Sequence, residues 1–313
     1  MRTLAEIGNL AAVCDPSSAS LEASKKMLGA KAREIRWTSR PKEILDDPGI
    51  VGVMVATPAE THYGVGVKAL AAGKDLFVEK PLTVDVQEGK KLVQFSKAAG
   101  KILMVGHLLE YHPAILKLRD LIRSGELGTI RYVISHRLNL GKIRTRENAL
   151  WSFAPHDISV ILRIAGKMPT EVVSTGGAYV SPGIPDITLM QMHFAGGMRA
   201  HIFVSWLHPF KEQKLVVVGS KKMASFCDIT KELILYDQRV EWKKGQPIPV
   251  KGDGRKVEFG QAEPLAEECR HFIECIRSRA IPRTDGRKGL EVLRLLHAAQ
   301  ESLAMNGRRV LIR

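Results

Sequence analysis

The chain has 313 residues, of which 45% are apolar, so it is long and apolar enough to form two domains of ordinary size and is not predicted to be disordered. No apolar run approaches the roughly 18 residues that a membrane-spanning helix needs, and the start of the chain does not have the layout of a signal peptide. The four cysteines (Cys14, Cys227, Cys269 and Cys275) are scattered without CxxC spacing, which predicts a cytoplasmic protein without disulfides or a metal site.

The formal net charge of +14 has two main interpretations. One is a soluble surface rich in basic residues, and the other is an electric field that attracts an anionic substrate or cofactor. Nucleic acid is a weaker alternative, because the basic residues are spread along the chain without a basic arm or a repeat of basic and aromatic residues. We therefore expect a small-molecule substrate and neither a nucleic-acid nor a membrane partner.

Residues 1–106 alternate short apolar runs with segments in which apolar residues recur every three or four positions. The runs are rich in Val, Ile and Leu at consecutive positions, as strands covered on both faces are, and the segments between them have helical spacing. The apolar runs lie at 10–14, 51–57, 75–80 and 102–107. This alternation predicts an α/β fold, in which residues 1–106 form a parallel, doubly wound (Rossmann) sheet that binds a dinucleotide.

The pattern changes after His107, where the predicted second domain, 107–313, begins. A helix (112–125), a strand (129–140) and a helix that begins near Trp151 precede six strands joined by short turns. These strands predict a mainly antiparallel, open sheet, and two C-terminal helices are candidates to pack back on the first domain. Because MQMHF and HIFVSWL carry apolar residues on both faces, we expect homo-oligomers that form on this sheet.

Asp15 ends the first apolar run and is followed by Pro-Ser-Ser. In a dinucleotide fold, an acid at the end of the second strand binds the adenosine ribose hydroxyls and repels the extra phosphate of NADP, so Asp15 predicts NAD as cofactor. The alternative is a loop aspartate that caps the next helix. The glycine-rich fingerprint belongs about 20 residues before such an acid. The chain as given is therefore expected to lack its first strand and glycine loop, and to bind NAD weakly.

The segment ATPAETH follows the second apolar run, at a strand end where open α/β sheets bind ligands. Thr57 and Pro58 form the predicted loop, and His62 begins a helix. We predict cofactor contacts for all three residues. For His62, a helix cap or a satisfied loop histidine is an equal alternative.

The tripeptide Glu79-Lys80-Pro81 ends the third apolar run, at the same predicted edge. A lysine at such a strand end can hydrogen-bond a sugar hydroxyl and hold a nearby base in place. Pro81 removes a donor, fixes the turn and permits a cis peptide bond. We predict that all three residues contact the cofactor and that Lys80 also acts in catalysis.

The sequence as a whole resembles the glucose–fructose oxidoreductase and inositol dehydrogenase family (Gfo/Idh/MocA). The resemblance rests on ATPAETH, VEKPLTVD, GELGTIRYV (125–133), SFAPHDISV (152–160), EPLAEECRHFIECI and TDGRKGLEVL, and it covers nearly the whole chain. It implies NAD(P)-dependent hydride transfer at a ring carbon of a sugar or cyclitol, and a homodimer or homotetramer formed through the open sheets. The segment 137–160 is most similar to the nucleotide-sugar 3-dehydrogenases, which oxidise C3 of UDP-N-acetylglucosamine or its uronate.

The resemblance also implies roles for single residues. The family's lysine corresponds to Lys80, and its general acid/base histidine corresponds to His156 in Ala-Pro-His-Asp. Most relatives have an Asp four residues before this histidine, where the chain has Ser152. Because serine can hydrogen-bond a sugar hydroxyl but cannot supply negative charge, we expect Ser152 to contact substrate and to assist His156 less than an Asp would.

Independently of the resemblance, His156 suits the removal of a hydroxyl proton as hydride leaves the carbinol carbon, because imidazole titrates near neutrality. The alternative is that His156 caps a helix starting near Pro155, with Asp157 favouring the helix dipole. Before this helix, Asn139, Lys142, Arg144 and Arg146 form a segment that could bind a diphosphate.

A solvated charge run is an equal alternative for these basic residues. Tyr111 and His112, at the domain junction, are candidates to line the sugar site, with core packing as the alternative. The leading function is oxidation of C3 of a UDP-linked N-acetylhexosamine or its uronate. A dehydrogenase of a free sugar or cyclitol is the enzymatic alternative, and a non-catalytic sensor or truncated relic is the alternative from another class.

Overall fold

The structure, a computed structural model, describes residues 1–312, which divide into two units. Unit 1 comprises Met1–Leu108 and Ala262–Leu290, and unit 2 comprises Leu109–Gln261 and the residues from Glu291 onward. The predicted first domain, 1–106, therefore ends close to the first boundary. The predicted second domain, 107–313, differs from unit 2, because residues 262–290 fold with unit 1.

Helices and strands alternate in the first segment of unit 1. In chain order they are α1 (Arg2–Glu6), β1 (Ala12–Cys14), α2 (Ser18–Leu28), β2 (Arg36–Thr38), α3 (Pro41–Leu45), β3 (Gly52–Val55), α4 (His62–Ala71), β4 (Asp75–Glu79), α5 (Val86–Ala98) and β5 (Leu103–Gly106). The sequence pattern did not predict β2, which has only three residues and begins with the exposed Arg36. So short a strand carries almost no alternation signal.

Unit 2 begins with two helices that flank a long strand and continues as a strand-rich segment. In chain order its elements are α6 (Pro113–Arg123), β6 (Ile130–Leu138), α7 (Ala149–Ala165), β7 (Glu171–Gly177), β8 (Ile187–His193), β9 (Arg199–Ser205), β10 (Glu212–Gly219), β11 (Met223–Cys227), β12 (Glu232–Tyr236), β13 (Arg239–Lys243), β14 (Gln246–Val250) and β15 (Gly254–Lys256). Then α8 (Pro264–Ser278) belongs to unit 1, α9 (Gly286–Ala304) begins in unit 1 and continues in unit 2, and β16 (Val310–Leu311) belongs to unit 2.

The strands of unit 1 are all parallel, as predicted, but they form two ladders. One contains β1 and β2, and the other has the order β3-β4-β5. β4 and β5 are buried along almost their whole length, whereas β1 and β3 are mostly half-buried. In a dinucleotide-binding fold the first strand lies between two such ladders, and the described residues 1–312 place no strand there.

The large sheet of unit 2 has the order β15-β12-β11-β10-β6-β9-β8-β7-β16. Its neighbours pair antiparallel except β6 and β9, which confirms a mainly antiparallel sheet. Helix α7 packs on the apolar face of the sheet, where Val133, Ile202 and Val204 are buried. The predicted homo-oligomer concerns the opposite, half-buried face, and it stays a prediction.

The parallel pairing of β6 with β9 determines which loops are neighbours. Leu138 pairs with Ser205, so both strands end at the same edge of the sheet. The segment that leads to α7 and the segment Leu207–Lys211 leave the sheet side by side there. Among residues 1–312, no helix is both long and apolar enough to cross a lipid bilayer.

Candidate active site

The turn after β4 is held by a buried histidine. The Lys80–Pro81 peptide bond is cis, and the carbonyl of Pro81 lies 2.8 Å from Nδ1 of His62. Nε2 of the same ring lies 2.9 Å from the carbonyl of Thr57, and the side chain is 1% exposed. Both ring nitrogens thus face backbone carbonyls of the chain. Of the two predictions for His62, the structure supports the loop histidine over the direct cofactor contact, because the buried ring lies between the backbone carbonyls of two loops.

The other predicted cofactor residues lie at the ends of β1 and β3. Asp15 follows β1 directly and its Oδ1 accepts a hydrogen bond of 2.8 Å from the amide of Ser17. The cap of α2 is Ser17, which accepts from Ser20, so Asp15 is not itself the helix cap. Thr57 and Pro58 are exposed after β3, and Thr57 Oγ1 is 2.6 Å from Thr61 Oγ1. The carboxylate of Asp15, at the end of β1, is the kind of group that binds the adenosine ribose hydroxyls of NAD.

Buried ionisable groups surround the end of β4. Oε2 of Glu79 accepts from the amide of Lys80 at 3.3 Å, and burial raises the pKa of Glu79 above its usual value. Burial and the neighbouring Lys80 charge lower the pKa of His107 to about 3, so this imidazole is neutral at physiological pH. Gly106 leaves room for Glu79, since a Cβ there would meet Glu79 Oε2 at 2.9 Å.

Glu268 on α8 is a buried acid that was not among the residues predicted from the sequence. It is 1% exposed, and its Oε1 has no hydrogen-bond partner among the described residues. Burial and the nearby charge of Glu79 raise the pKa of Glu268 to about 9. The signal was present in the helix pattern, because Glu268 occupies the same face as the buried Phe272 and Cys275.

We expect Glu268→Gln to flatten the pH dependence of stability. Folding raises the pKa of Glu268 from 4.5 to about 9. Between these two pH values the folded chain therefore keeps a proton that the unfolded chain has already lost. This group therefore lowers the free energy of unfolding as pH rises through that window, with a slope approaching about 1.4 kcal/mol per pH unit. Urea unfolding from pH 5 to 9 measures the slope. Glu267→Gln, at the exposed neighbour, is the matched control. Equal slopes for Glu268→Gln and wild type would contradict the prediction.

Helix α7 carries the predicted catalytic histidine. Asn148 caps it by accepting from the amide of Trp151, and Gly166 ends it in the left-handed conformation. The helix therefore begins at Ala149, so the alternative in which His156 caps a helix starting near Pro155 is wrong. His156 is half-buried in the helix interior, and the buried Ser152 lies one turn before it.

A buried ion pair fastens the residue after His156 to the sheet. Asp157 accepts from Nε of Arg137 at 2.9 Å and from its Nη2 at 3.1 Å, so the guanidinium binds both carboxylate oxygens. Ser135 donates to the same carboxylate at 2.9 Å. The Asp157 side chain is 5% exposed. Two-point binding from β6 fixes this turn of α7 and, with it, the direction of the histidine.

A second buried carboxylate holds α7 one turn further along. Glu110 accepts from Oγ of Ser159 at 2.8 Å and from Nε of Arg163 at 2.9 Å. Its neighbour Tyr111 is 1% exposed, so the structure supports core packing rather than the predicted substrate contact. His112 is also buried and caps α6 through Nδ1, which accepts from the amide of Ala114.

The predicted diphosphate segment leaves the sheet at the end of β6. Lys142 and Arg144 are exposed, and Arg144 lies 2.9 Å from Glu147. Asn139 is half-buried, and its Oδ1 is enclosed without a hydrogen-bond partner among the described residues. The structure also places Leu207–Lys211 next to this segment, through the bond from the amide of His208 to the carbonyl of Asn139 at 3.3 Å. No local pattern predicted this neighbour, because it depends on the pairing of β6 with β9.

Comparison with known proteins agrees with this arrangement. Residues 2–107 match the model described as "Oxidoreductase family, NAD-binding Rossmann fold", and residues 115–225 match the "GFO/IDH/MocA C-terminal domain". The scyllo-inositol 2-dehydrogenase (NAD(+)) of Bacillus subtilis is 27% identical over 284 residues, covering 87% of this chain and 80% of the relative. The UDP-N-acetylglucosamine 3-dehydrogenase of Acidithiobacillus ferrooxidans is 26% identical over 263 residues, covering 84% and 82%.

A solved structure of the second enzyme superposes with a TM-score of 0.84 at 23% identity, covering 97% of this chain and 93% of that one, which shows a shared fold. The two family models together span most of the chain, and NAD is the cofactor that the first of them describes. The chain belongs to the Gfo/Idh/MocA family of NAD-dependent oxidoreductases.

Proposed function

We propose that the chain oxidises the C3 hydroxyl of a UDP-linked N-acetylhexosamine or its uronate. The observation that carries the proposal is the end of β6, where the basic segment with Lys142 and Arg144 leads directly into the helix of His156. Cations on the segment that leads into the helix of a candidate general base suit a sugar substrate whose ring carries a diphosphate at another carbon than the one oxidised. The similarity to a UDP-N-acetylglucosamine 3-dehydrogenase supports the same substrate class.

The chain's own residues supply the proton chemistry. His156 accepts the hydroxyl proton as the C–H bond breaks, and Lys80 hydrogen-bonds the same oxygen and stabilises its developing negative charge. Bound NAD supplies the hydride acceptor, so that the alcohol becomes a ketone and the hydroxyl proton remains on the protein. The neutral His107 adds no second positive charge beside Lys80. Ser152, one turn before His156, offers a hydroxyl to the substrate but no charge.

A second candidate is a dehydrogenase of a free sugar or cyclitol. It is favoured by the similarity to a scyllo-inositol 2-dehydrogenase over most of both chains. In that case the basic segment after β6 is a solvated charge run, which its exposure and the Arg144–Glu147 pair also permit.

The reduction of NAD, followed by absorbance with a panel of alcohols, separates the two candidates. The panel contains UDP-N-acetylglucosamine, its uronate, free N-acetylglucosamine and scyllo-inositol. We expect turnover with a UDP-linked compound and much weaker turnover with the free sugar and cyclitol. Faster turnover of scyllo-inositol or of free N-acetylglucosamine would replace the proposal by the second candidate.

We expect NAD to be preferred over NADP, and Asp15→Ser to narrow the preference. The carboxylate at the end of β1 would face the 2′-phosphate of NADP, and the two negative charges repel each other. The ratio of kcat/KM values for the two cofactors measures the effect. Asp46→Ser, on an exposed acid outside the strand ends, is the control. Wild-type kcat/KM with NADP equal to or above that with NAD would remove this role from Asp15.

A further inference from the structure

The edge of the large sheet at which β6 and β9 end carries two loops that touch. The backbone N–H of Asn139 donates to the carbonyl of Ser205 at 3.1 Å, and the backbone N–H of His208 donates to the carbonyl of Asn139 at 3.3 Å. We call the surface formed by residues 139–146 and 207–211 the two-loop surface. All of it belongs to unit 2.

An exposed aromatic ring stands on this surface. Phe210 is 70% exposed, and the ring of His208 lies edge-on to it with centroids 6.0 Å apart. Nδ1 of His208 lies 2.9 Å from the carbonyl oxygen of Phe210 and 3.3 Å from its backbone nitrogen, so this ring nitrogen closes the turn locally. Leu140, on the first loop, is 74% exposed. Large apolar side chains that are exposed to solvent in this way can pack against a flat ligand.

The second loop starts from a rigid base. Trp206 donates through Nε1 to Oδ1 of Asp186 at 2.5 Å, and both residues are fully buried. Oδ2 of Asp186 accepts from the amides of Tyr179 and Val180 at 2.6 and 2.9 Å. Because Asp186 fixes Trp206, the loop leaves the sheet from a fixed point, which lowers the entropy lost when a ligand is bound.

Positive charge accompanies the ring. Lys142, Arg144, Arg146 and Lys211 are exposed on the two loops, and of these Arg144 also forms an ion pair with Glu147. Cations can bind a diphosphate and an exposed aromatic face can stack on a base, so the surface offers both groups that a nucleoside diphosphate requires.

We propose that the two-loop surface binds the nucleoside diphosphate part of the substrate, with the ring of Phe210 stacking on the base. This inference rests on the proposed function and deepens it, because it assigns the base to a loop after β9 in addition to the diphosphate segment after β6. The pyrophosphate contacts Lys142 and Lys211, and the base lies on Phe210.

The test measures calorimetric binding of UDP and of inorganic pyrophosphate to wild type, Phe210→Ala, Phe210→Trp and Trp242→Ala. Trp242, on β13, is 72% exposed and lies outside both loops, so Trp242→Ala is the matched control for loss of an exposed aromatic ring. We expect Phe210→Ala to weaken UDP binding by roughly 5- to 150-fold, the range for losing one base–aromatic stack. Pyrophosphate binding should stay unchanged, and Phe210→Trp should retain UDP binding.

The outcomes separate this proposal from the proposed function. If UDP-N-acetylglucosamine is oxidised but Phe210→Ala binds UDP as tightly as Trp242→Ala does, the proposed function stands and the role of Phe210 is overturned. If wild type binds no UDP and oxidises a free sugar or cyclitol, both are overturned. A loss of pyrophosphate binding in Phe210→Ala equal to its loss of UDP binding would show a distorted loop, and this too would overturn the stacking role.

Discussion

His156→Asn is expected to lower kcat by roughly 10²–10⁴, the range for losing a general acid or base, while the fold is retained. The asparagine keeps a polar group on α7 but cannot accept a proton near neutrality. Because the residue lies inside a helix capped independently by Asn148, the substitution removes no cap. Initial rates of NAD reduction with the best alcohol of the panel measure the effect, and circular dichroism checks the fold.

Lys80→Ala should cost a similar order in kcat, and the double variant should lose less than the product of the two single losses. Groups that act on one hydroxyl as a unit give non-additive effects. His193→Asn is the matched control, since His193 is a half-buried histidine on β8 that pairs with Glu171. Near-normal turnover of His156→Asn would remove the histidine from the mechanism. Strictly multiplicative losses would mean that Lys80 and His156 contribute independently and not as a unit.

Arg137→Leu is expected to lower the free energy of unfolding by about 3–5 kcal/mol, because it leaves the carboxylate of Asp157 buried without its counter-charge. Among residues 1–312, the hydrogen bond from Ser135 would then be the side-chain contact that remains to that group. Equilibrium urea unfolding at neutral pH measures the loss. The paired variant Arg137→Leu with Asp157→Leu should recover much of it, because removing both charges removes the cost of burying one alone.

Arg270→Leu provides the control for this experiment. Arg270 forms an exposed ion pair with Glu267 on α8, and such surface pairs are worth about 0–1 kcal/mol. We also expect kcat of Arg137→Leu to fall where the fold persists, since the turn of α7 that carries His156 loses its two-point attachment. A loss of stability no larger than that of Arg270→Leu would contradict the structural role of the buried pair.

The sequence by itself determined the elements whose signals are local. The strands β3, β4 and β5 were predicted because consecutive Val, Ile and Leu residues are typical of strands covered on both faces. The helices between them followed from three- and four-residue spacing, and glycines such as Gly29 and Gly166 end helices because their φ is positive. The family, the mainly antiparallel second sheet and the turn at Lys80 with Pro81 were likewise present in short, contiguous segments.

Only the tertiary structure decided which of these segments become neighbours. The pairing of β6 with β9, across more than 60 residues of chain, placed the loop of Phe210 beside Asn139. The burial of a side chain cannot be read from its residue type. In the structure, burial favours internal packing over ligand contact for His62 and Tyr111, and it raises the pKa of Glu268. Strand register and desolvation depend on contacts between segments that are distant in sequence. The local pattern therefore predicts the helices and strands, whereas their packing decides which side chains lie in a site and which lie in the core.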